Sequence, residues 1–288
     1  MIISEHNVQI EGHLLHRTIF DPAKKSGPPK MACLFSHGQG DFSKRYADVL
    51  HPFTERGIRC ISMDLLGHGM SPGKRGHVGN IALIDQVIQS NLALTEGLDY
   101  GIAGHSMGGL LTLRHLTLAL EQKLPMPQFC WVNSPLLQPA HGKAAWFIKM
   151  ARYLAKRAPK LTIKTGASPA LCQTTMVGAK KNSYSKQQKK ELGHQKISLG
   201  WGVELIAISE YIAQNLPSHD DEIPFLLTQG DTDFICPHSN ADAFFEQLSL
   251  SNKTYHLFKN MRHETFAEPN NEELFTAVAD WLEKNHLP

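Results

Sequence analysis

Nowhere in the 288 residues do apolar side chains run unbroken for anything near eighteen positions, so no segment is expected to cross a bilayer as a helix. A signal-peptide run is not expected either, because Glu5, His6 and Glu11 interrupt the opening residues. Disulfide and zinc spacings are missing as well. Cys33, Cys60, Cys130, Cys172 and Cys236 are odd in number and irregularly spaced, and they read as small core hydrophobes in a reducing, cytoplasmic setting. There is no internal repeat and no low-complexity tract. What remains is ordinary for a globular α/β protein. The apolar fraction is 42%, ample for a buried parallel sheet.

Against that background residues Gly104, His105, Ser106, Met107 and Gly108 stand out. A short apolar stretch ending at Ala103 precedes them. Leu110, Leu111, Leu113, Leu116, Leu118 and Leu120 follow, an apolar set that suits a buried helix. Gly-x-Ser-x-Gly between a strand and a helix places the serine on a sharp turn with its hydroxyl raised above the sheet end. Glycine flanks it because a β-carbon there would strike neighbouring backbone.

A serine hydroxyl needs a histidine base, and the histidine needs a carboxylate to orient it. On a strand–turn–helix elbow these follow in the order Ser, Asp, His. Residues 223–229 read as a buried strand ended by Gly230, Asp231, Thr232 and Asp233, and residues 254–258 as the next strand, followed by His263. The Gly-x-x-Asp spacing favours Asp233 as the acid, leaving Asp231 as a turn residue bonded to its own backbone. For the oxyanion that ester or amide cleavage generates, the expected donors are two backbone amides. One is that of Met107. The other is that of Gln39, in the His37–Gly40 loop after the strand at 31–36. Asp41 and Arg45 are close enough to pair and brace this loop, although a surface salt bridge worth under ~1 kcal/mol is the plainer account.

Strands are expected near 2–10, 11–18, 31–36, 58–63, 98–104, 128–133, 223–229 and 253–258. Helices are expected near 43–56, 80–96, 107–122, 237–249 and 271–285. Strand–helix alternation from residue 31 onward predicts a doubly wound, mostly parallel eight-stranded sheet flanked by helices. The first two strands should form an antiparallel edge hairpin. The ninety or so residues between Asn133 and Ile223 are too many for a loop. They predict an inserted, mainly helical cap at 136–222, with residues 1–135 and 223–288 as the core.

Charge separates the two parts. Residues 136–203 carry thirteen Lys and Arg against Glu191 alone, a balance of +12, so the rest of the chain sums to −10. Within the cap, residues 144–157 form an amphipathic pattern with Trp146, Met150, Tyr153 and Leu154 on one face and Lys149, Arg152 and Lys156 on another. Such a helix either packs on the core with a solvated basic face or lies on lipid with its cations at anionic headgroups. The basic run Lys180–Lys190 has too little aromatic interleaving to suggest nucleic acid.

Together, Ser36–Tyr46, Asp64–Ser71, Gly104–Gly109, Gly230–Asp233 and His263 resemble the α/β-hydrolase family, within it the monoacylglycerol lipase and lysophospholipase group. The resemblance implies the α/β-hydrolase fold and a serine esterase acting on lipid-like monoesters through an acyl-enzyme, with no metal and no cofactor. Residues 136–222 match that group's motifs only weakly. A general carboxylesterase, a peptidase or a cofactor-free peroxidase on the same fold is an alternative, and a non-catalytic binding module is a reading of another class. The serine at the elbow disfavours chemistry that uses an aspartate nucleophile there.

Overall fold

The computed structural model describes residues 1–24, 27–167, 169–172, 191–216 and 222–288. In chain order the strands are β1 (Ile2–Ile10), β2 (His13–Asp21), β3 (Met31–Ser36), β4 (Ile58–Met63), β5 (Tyr100–His105), β6 (Cys130–Asn133), β7 (Thr162–Lys164), β8 (Lys196–Ser198), β9 (Phe225–Gly230) and β10 (Lys253–Phe258). The helices are α1 (His51–Glu55), α2 (Ile81–Leu92), α3 (Met107–Leu120), α4 (Ala145–Arg157), α5 (Pro169–Cys172), α6 (Leu199–Asn215), α7 (His238–Gln247) and α8 (Glu272–Lys284).

Among the described residues eight strands join one sheet in the order β1-β2-β4-β3-β5-β6-β9-β10, and β7 pairs with β8 as a separate antiparallel ribbon. Strand β2 runs antiparallel to both β1 and β4, and every later pairing is parallel. The expected edge hairpin is there, but its turn falls at Glu11 and Gly12, with φ of 46° and 77°. Two successive positive φ values match the twist of the flanking strands, so β2 starts at His13 and runs to Asp21.

Both faces of the parallel strands are buried. On β3, Ala32 and Leu34 face the layer that includes α2, α3, α6 and α7, whereas Met31, Cys33 and Phe35 face α1 and α8. The same alternation runs through β4, β5, β6 and β9, where Ile61, Ile102, Val132 and Leu227 point one way and Cys60, Ala103, Trp131 and Leu226 the other. A strand covered on both sides reads as a continuous apolar run, which is why these strands stand out in the sequence. Cys33, Cys60 and Cys130 lie inside this core as free thiols.

Residues 43–56 do not form the single expected helix. They make a 3₁₀ turn at Ser43–Tyr46 and, after a break, α1. Distant partners hold the turn. The Ser43 amide donates to Asp64 Oδ1 (2.6 Å), and Arg45 and Tyr46 point back to the loop after β3. Helix α6 belongs to the segment between β6 and β9, yet Trp201, Leu205, Ile208 and Ile212 pack into the same apolar cluster as α3. No helix of the described residues is long and apolar enough to cross a membrane. The run Lys180–Lys190 lies outside the described residues.

Candidate active site

Ser36, His105, Gly230 and Phe258 end β3, β5, β9 and β10 at one edge of the sheet, the edge where open α/β sheets carry their ligand crevice. The segments leaving those four ends hold every candidate residue. Ser106 sits between β5 and α3 with φ 56° and ψ −119°, a backbone region that costs a non-glycine residue on the order of 1–3 kcal/mol. The flanking glycines are needed for space. A β-carbon on Gly104 would lie 2.4 Å from the Gly108 carbonyl, and one on Gly108 only 1.9 Å from the Ser36 carbonyl. The turn is fixed from outside as well, because the Ser106 amide donates to Asn133 O (3.0 Å) and its carbonyl accepts from Leu136 N (3.0 Å).

His263 brings its two ring nitrogens to two partners. Nδ1 lies 2.8 Å from Asp233 Oδ2 and Nε2 2.9 Å from Ser106 Oγ. A carboxylate only accepts, so Nδ1 carries a proton, and in the neutral ring Nε2 is left to accept from the serine hydroxyl. Asp233 is held by four donors in all. Ile235 N (2.8 Å) and Cys236 N (2.9 Å) reach Oδ1, while Gln229 Nε2 (2.8 Å) and His263 reach Oδ2. Asp231 instead accepts the amide of Asn260 in the loop after β10 (2.8 Å). It ties two loops together and makes no contact with His263 among the hydrogen bonds of the described residues.

Burial alone would push the His263 imidazole down. The Asp233 carboxylate and the Cys236 thiol beside it outweigh that and hold its pKa well above the ordinary imidazole value. Burial, together with the neighbouring His263, keeps His105 well below that value. Its Nδ1 therefore accepts from Asn133 Nδ2 (3.1 Å) as a neutral ring, packed 4.8 Å from the His263 ring. Ligand atoms of Asp233, Cys236 and His263 lie within 4.8 Å of one another. A cation there would have to displace donors already on Asp233.

The two segments that carry the expected oxyanion donors both lie beside Ser106. Met107 is the first residue of α3, so its amide has no intrahelical acceptor. Gly38, next to Gln39, lies against the serine, and a β-carbon on it would sit 3.4 Å from Ser106 Cβ. The loop between them is braced by buried polar groups. The Gly38 amide donates to the Tyr46 hydroxyl (3.2 Å), which donates to Asp41 Oδ2 (2.9 Å). Arg45 pairs with Asp41 and, through both terminal nitrogens, with Glu264, the residue after His263. The plainer account of Arg45 as a surface partner does not hold, since it is only 8% exposed.

The profile of the family described as serine aminopeptidase, S33, matches residues 27–270. The chain belongs to that family. It is 34% identical over 251 residues to an abhydrolase-domain protein of Dictyostelium discoideum, covering 86% of this chain but about a quarter (26%) of that much longer relative. It is 26% identical over 259 residues to a phospholipase of Bacillus subtilis, covering 88% of this chain and 95% of the relative. The crystal structure of a monoacylglycerol lipase from Paleococcus ferrophilus superposes with a TM-score of 0.77 at 27% identity, over 94% of this chain and 99% of that one. The fold is the α/β-hydrolase fold.

Sequence reasoning did not anticipate several residues around this family's elbow. Glu264 completes the pairing of Arg45, Cys236 lies beside His263, and Asn133 organises His105, Thr228 (3.0 Å) and Thr265 (2.9 Å). His194 and Trp201 reach the His37–Gly40 loop from the segment between β6 and β9. The His194 amide donates to Gly40 O (2.9 Å), and its ring, a neutral imidazole whose pKa burial pushes down to about 4, reaches Gly67 O (3.1 Å). Only Glu264, adjacent to the candidate base, carried any signal in the linear sequence.

Proposed function

We propose that the chain is a serine hydrolase that cleaves a carboxylic ester of a lipid-like substrate, a monoacylglycerol or a lysophospholipid, through an acyl-enzyme. The continuous hydrogen-bonded chain Asp233–His263–Ser106 on a strained elbow carries this reading. His263 Nε2 takes the Ser106 proton as Oγ bonds to the ester carbonyl carbon. The carbonyl oxygen gains the charge and accepts from the amides of Gln39 and Met107, each such donor being worth about 2.7–4 kcal/mol in comparable sites. As the C–O bond breaks, His263 returns the proton to the leaving alcohol. Water then attacks the acyl-enzyme by the same route. Asp233 holds the imidazole tautomer throughout.

The relatives named for lipid esters support this substrate class, and the name of the family leaves peptides as the competing one. An aminopeptidase must hold a free α-ammonium with a carboxylate. Among the described residues, Asp41, Asp64, Asp231, Asp233 and Glu264, the carboxylates tied to the site's own loops, already accept from Arg45, Ser43, Met70, Asn260, His263 and other donors. That favours the ester.

Residues 136–222 act as the cap over the acyl site in this reading, and the outward face of α4 supports a peripheral contact with anionic membrane. Trp146 is 67% exposed and Tyr153 56%, with Met150 and Leu154 also exposed and Lys149, Arg152 and Lys156 beside them. Turnover by purified protein on acyl esters differing in chain length and headgroup, alongside a dipeptide amide panel, tests the assignment. Long-chain monoesters should be preferred. Ser106→Ala should abolish both turnover and fluorophosphonate labelling, a loss of roughly 10⁴–10⁶-fold. Faster cleavage of peptide amides would overturn the substrate class.

A further inference from the structure

The indole nitrogen of Trp201 lies 3.1 Å from Gln39 Oε1 and 3.2 Å from Met107 Sδ. Those are the side chains of the two residues whose amides are the expected oxyanion donors. An indole has one N–H and no acceptor, so a single hydrogen is shared between the loop after β3 and the start of α3. Trp201 is fully buried and is placed by the N-cap of α6, where Ser198 Oγ accepts the Trp201 amide (3.2 Å). The other end of the Gln39 side chain donates to Lys196 O (2.8 Å). Gln39 is thus gripped at both ends of its amide by Lys196 on β8 and Trp201 on α6, both distant from it in the chain.

The two amides differ in how firmly their own backbone holds them. Met107 is fixed by α3. Gln39 stands between Gly38 and Gly40, the latter at φ 77°, and glycine has the widest backbone freedom of any residue. The carbonyl of the peptide that carries the Gln39 N–H, Gly38 O, accepts from His37 Nδ1 (2.8 Å) and Asp41 N (3.2 Å), so a rotation that re-aimed the Gln39 N–H would strain these bonds as well as the grip on the side chain.

We propose that Trp201 is a positioning residue that ties the Gln39 amide to the fixed Met107 amide, so that the oxyanion site is complete only while α6 is docked. The proposal rests on the reading of these two amides as oxyanion donors. Trp201 touches no substrate atom in this role. It acts through Gln39. A misplacement of about 1 Å in such a donor can cost ~10²-fold in rate.

Trp201→Phe keeps most of the buried ring and removes the N–H. With a short soluble ester, such as p-nitrophenyl butyrate, kcat should fall about 10–100-fold while KM stays within about twofold, because the donors act on the transition state. Affinity for an alkyl boronic acid, a tetrahedral mimic, should fall in parallel with kcat. Gln39→Ala should give the same split, and the two losses should not multiply in the double variant. Gln39→Ala also carries the test if Trp201→Phe does not fold. Active, fluorophosphonate-labelled wild-type protein with unchanged kcat in a folded Trp201→Phe overturns this proposal alone. So do losses that multiply, or losses that appear in KM and melting temperature without the kcat split. A wild-type protein that neither labels nor turns over overturns the hydrolase reading, and this proposal with it.

Discussion

Replacing Arg45 by methionine should be among the most damaging changes outside the triad. The guanidinium is buried between Asp41, on the loop after β3, and Glu264, next to His263. Burial alone would push its pKa down, and the two carboxylates hold it well above the ordinary value, so it stays charged in the folded protein. Taking it away leaves two carboxylates facing each other in a site that solvent barely reaches. Breaking a buried pair in this way costs about 3–5 kcal/mol, against under ~1 kcal/mol for an exposed one. For a chain of this size that is a fall in melting temperature of about 6–20 °C.

Scanning calorimetry and urea unfolding of Arg45→Met measure the loss. The triple variant Arg45→Met, Asp41→Asn, Glu264→Gln separates charge from packing. Removing a whole buried charge cluster is often neutral or stabilising, so much of the lost stability should return. Activity should not return to the same extent, because Tyr46 and Gly38 lose their anchor at Asp41. A loss under ~1 kcal/mol for Arg45→Met would refute the reasoning, and so would a triple variant less stable than the single one.

Asp233→Asn should cost about 10⁴-fold in kcat, whereas Asp231→Asn should stay within a few-fold; the opposite order in an ester assay would exchange their roles. Since His263 must be neutral to accept the Ser106 proton and its pKa is raised, kcat/KM should climb with pH through a midpoint above 6.5. Asp233→Asn should move that limb to lower pH, and a wild-type midpoint below 6.5 would refute the raised pKa. Replacing Lys149, Arg152, Lys156 and Arg157 by Gln should weaken binding to vesicles rich in anionic lipid by about 1 kcal/mol per cation brought near the surface. Turnover of a short soluble ester should be kept, and unchanged vesicle binding would remove the membrane reading.

The candidate constellation was legible because its logic is local at each point. A parallel strand buried on both faces leaves an apolar run, and the residue that follows it emerges at a known edge. Ser106, Asp233 and His263 each obey that rule, after β5, β9 and β10. What braces them does not. Arg45 and Glu264 lie 219 residues apart, and no spacing predicts their meeting. The same pairing explains the failed helix at 43–56. Ser43, Arg45 and Tyr46 have helix-compatible neighbours, but their polar atoms are claimed by Asp64, Glu264 and Asp41, so tertiary contacts override local propensity.

Helix α4 shows a different limit of sequence patterning. Periodicity revealed a face made of Trp146, Met150, Tyr153 and Leu154, and large apolar side chains on one face ordinarily mark the side that packs. The structure turns the helix the other way. Phe147, Ile148 and Ala151 are half-buried and Ala155 is buried, while the larger stripe is exposed. Small residues let two helix backbones approach closely, so the alanine-lined face can sit against α6 and leave the bulkier side chains outside. Period alone gives the existence of a face and is silent about what covers it. Here Arg157 stacks over the outward Tyr153 ring at 3.8 Å, and Arg152 binds Glu210 on α6 (2.7 Å). The aromatic stripe therefore stands among cations on the outside of the molecule. The proposed contact with anionic membrane rests on that pairing, because an interfacial helix buries its apolar stripe among acyl chains while its cations meet anionic headgroups.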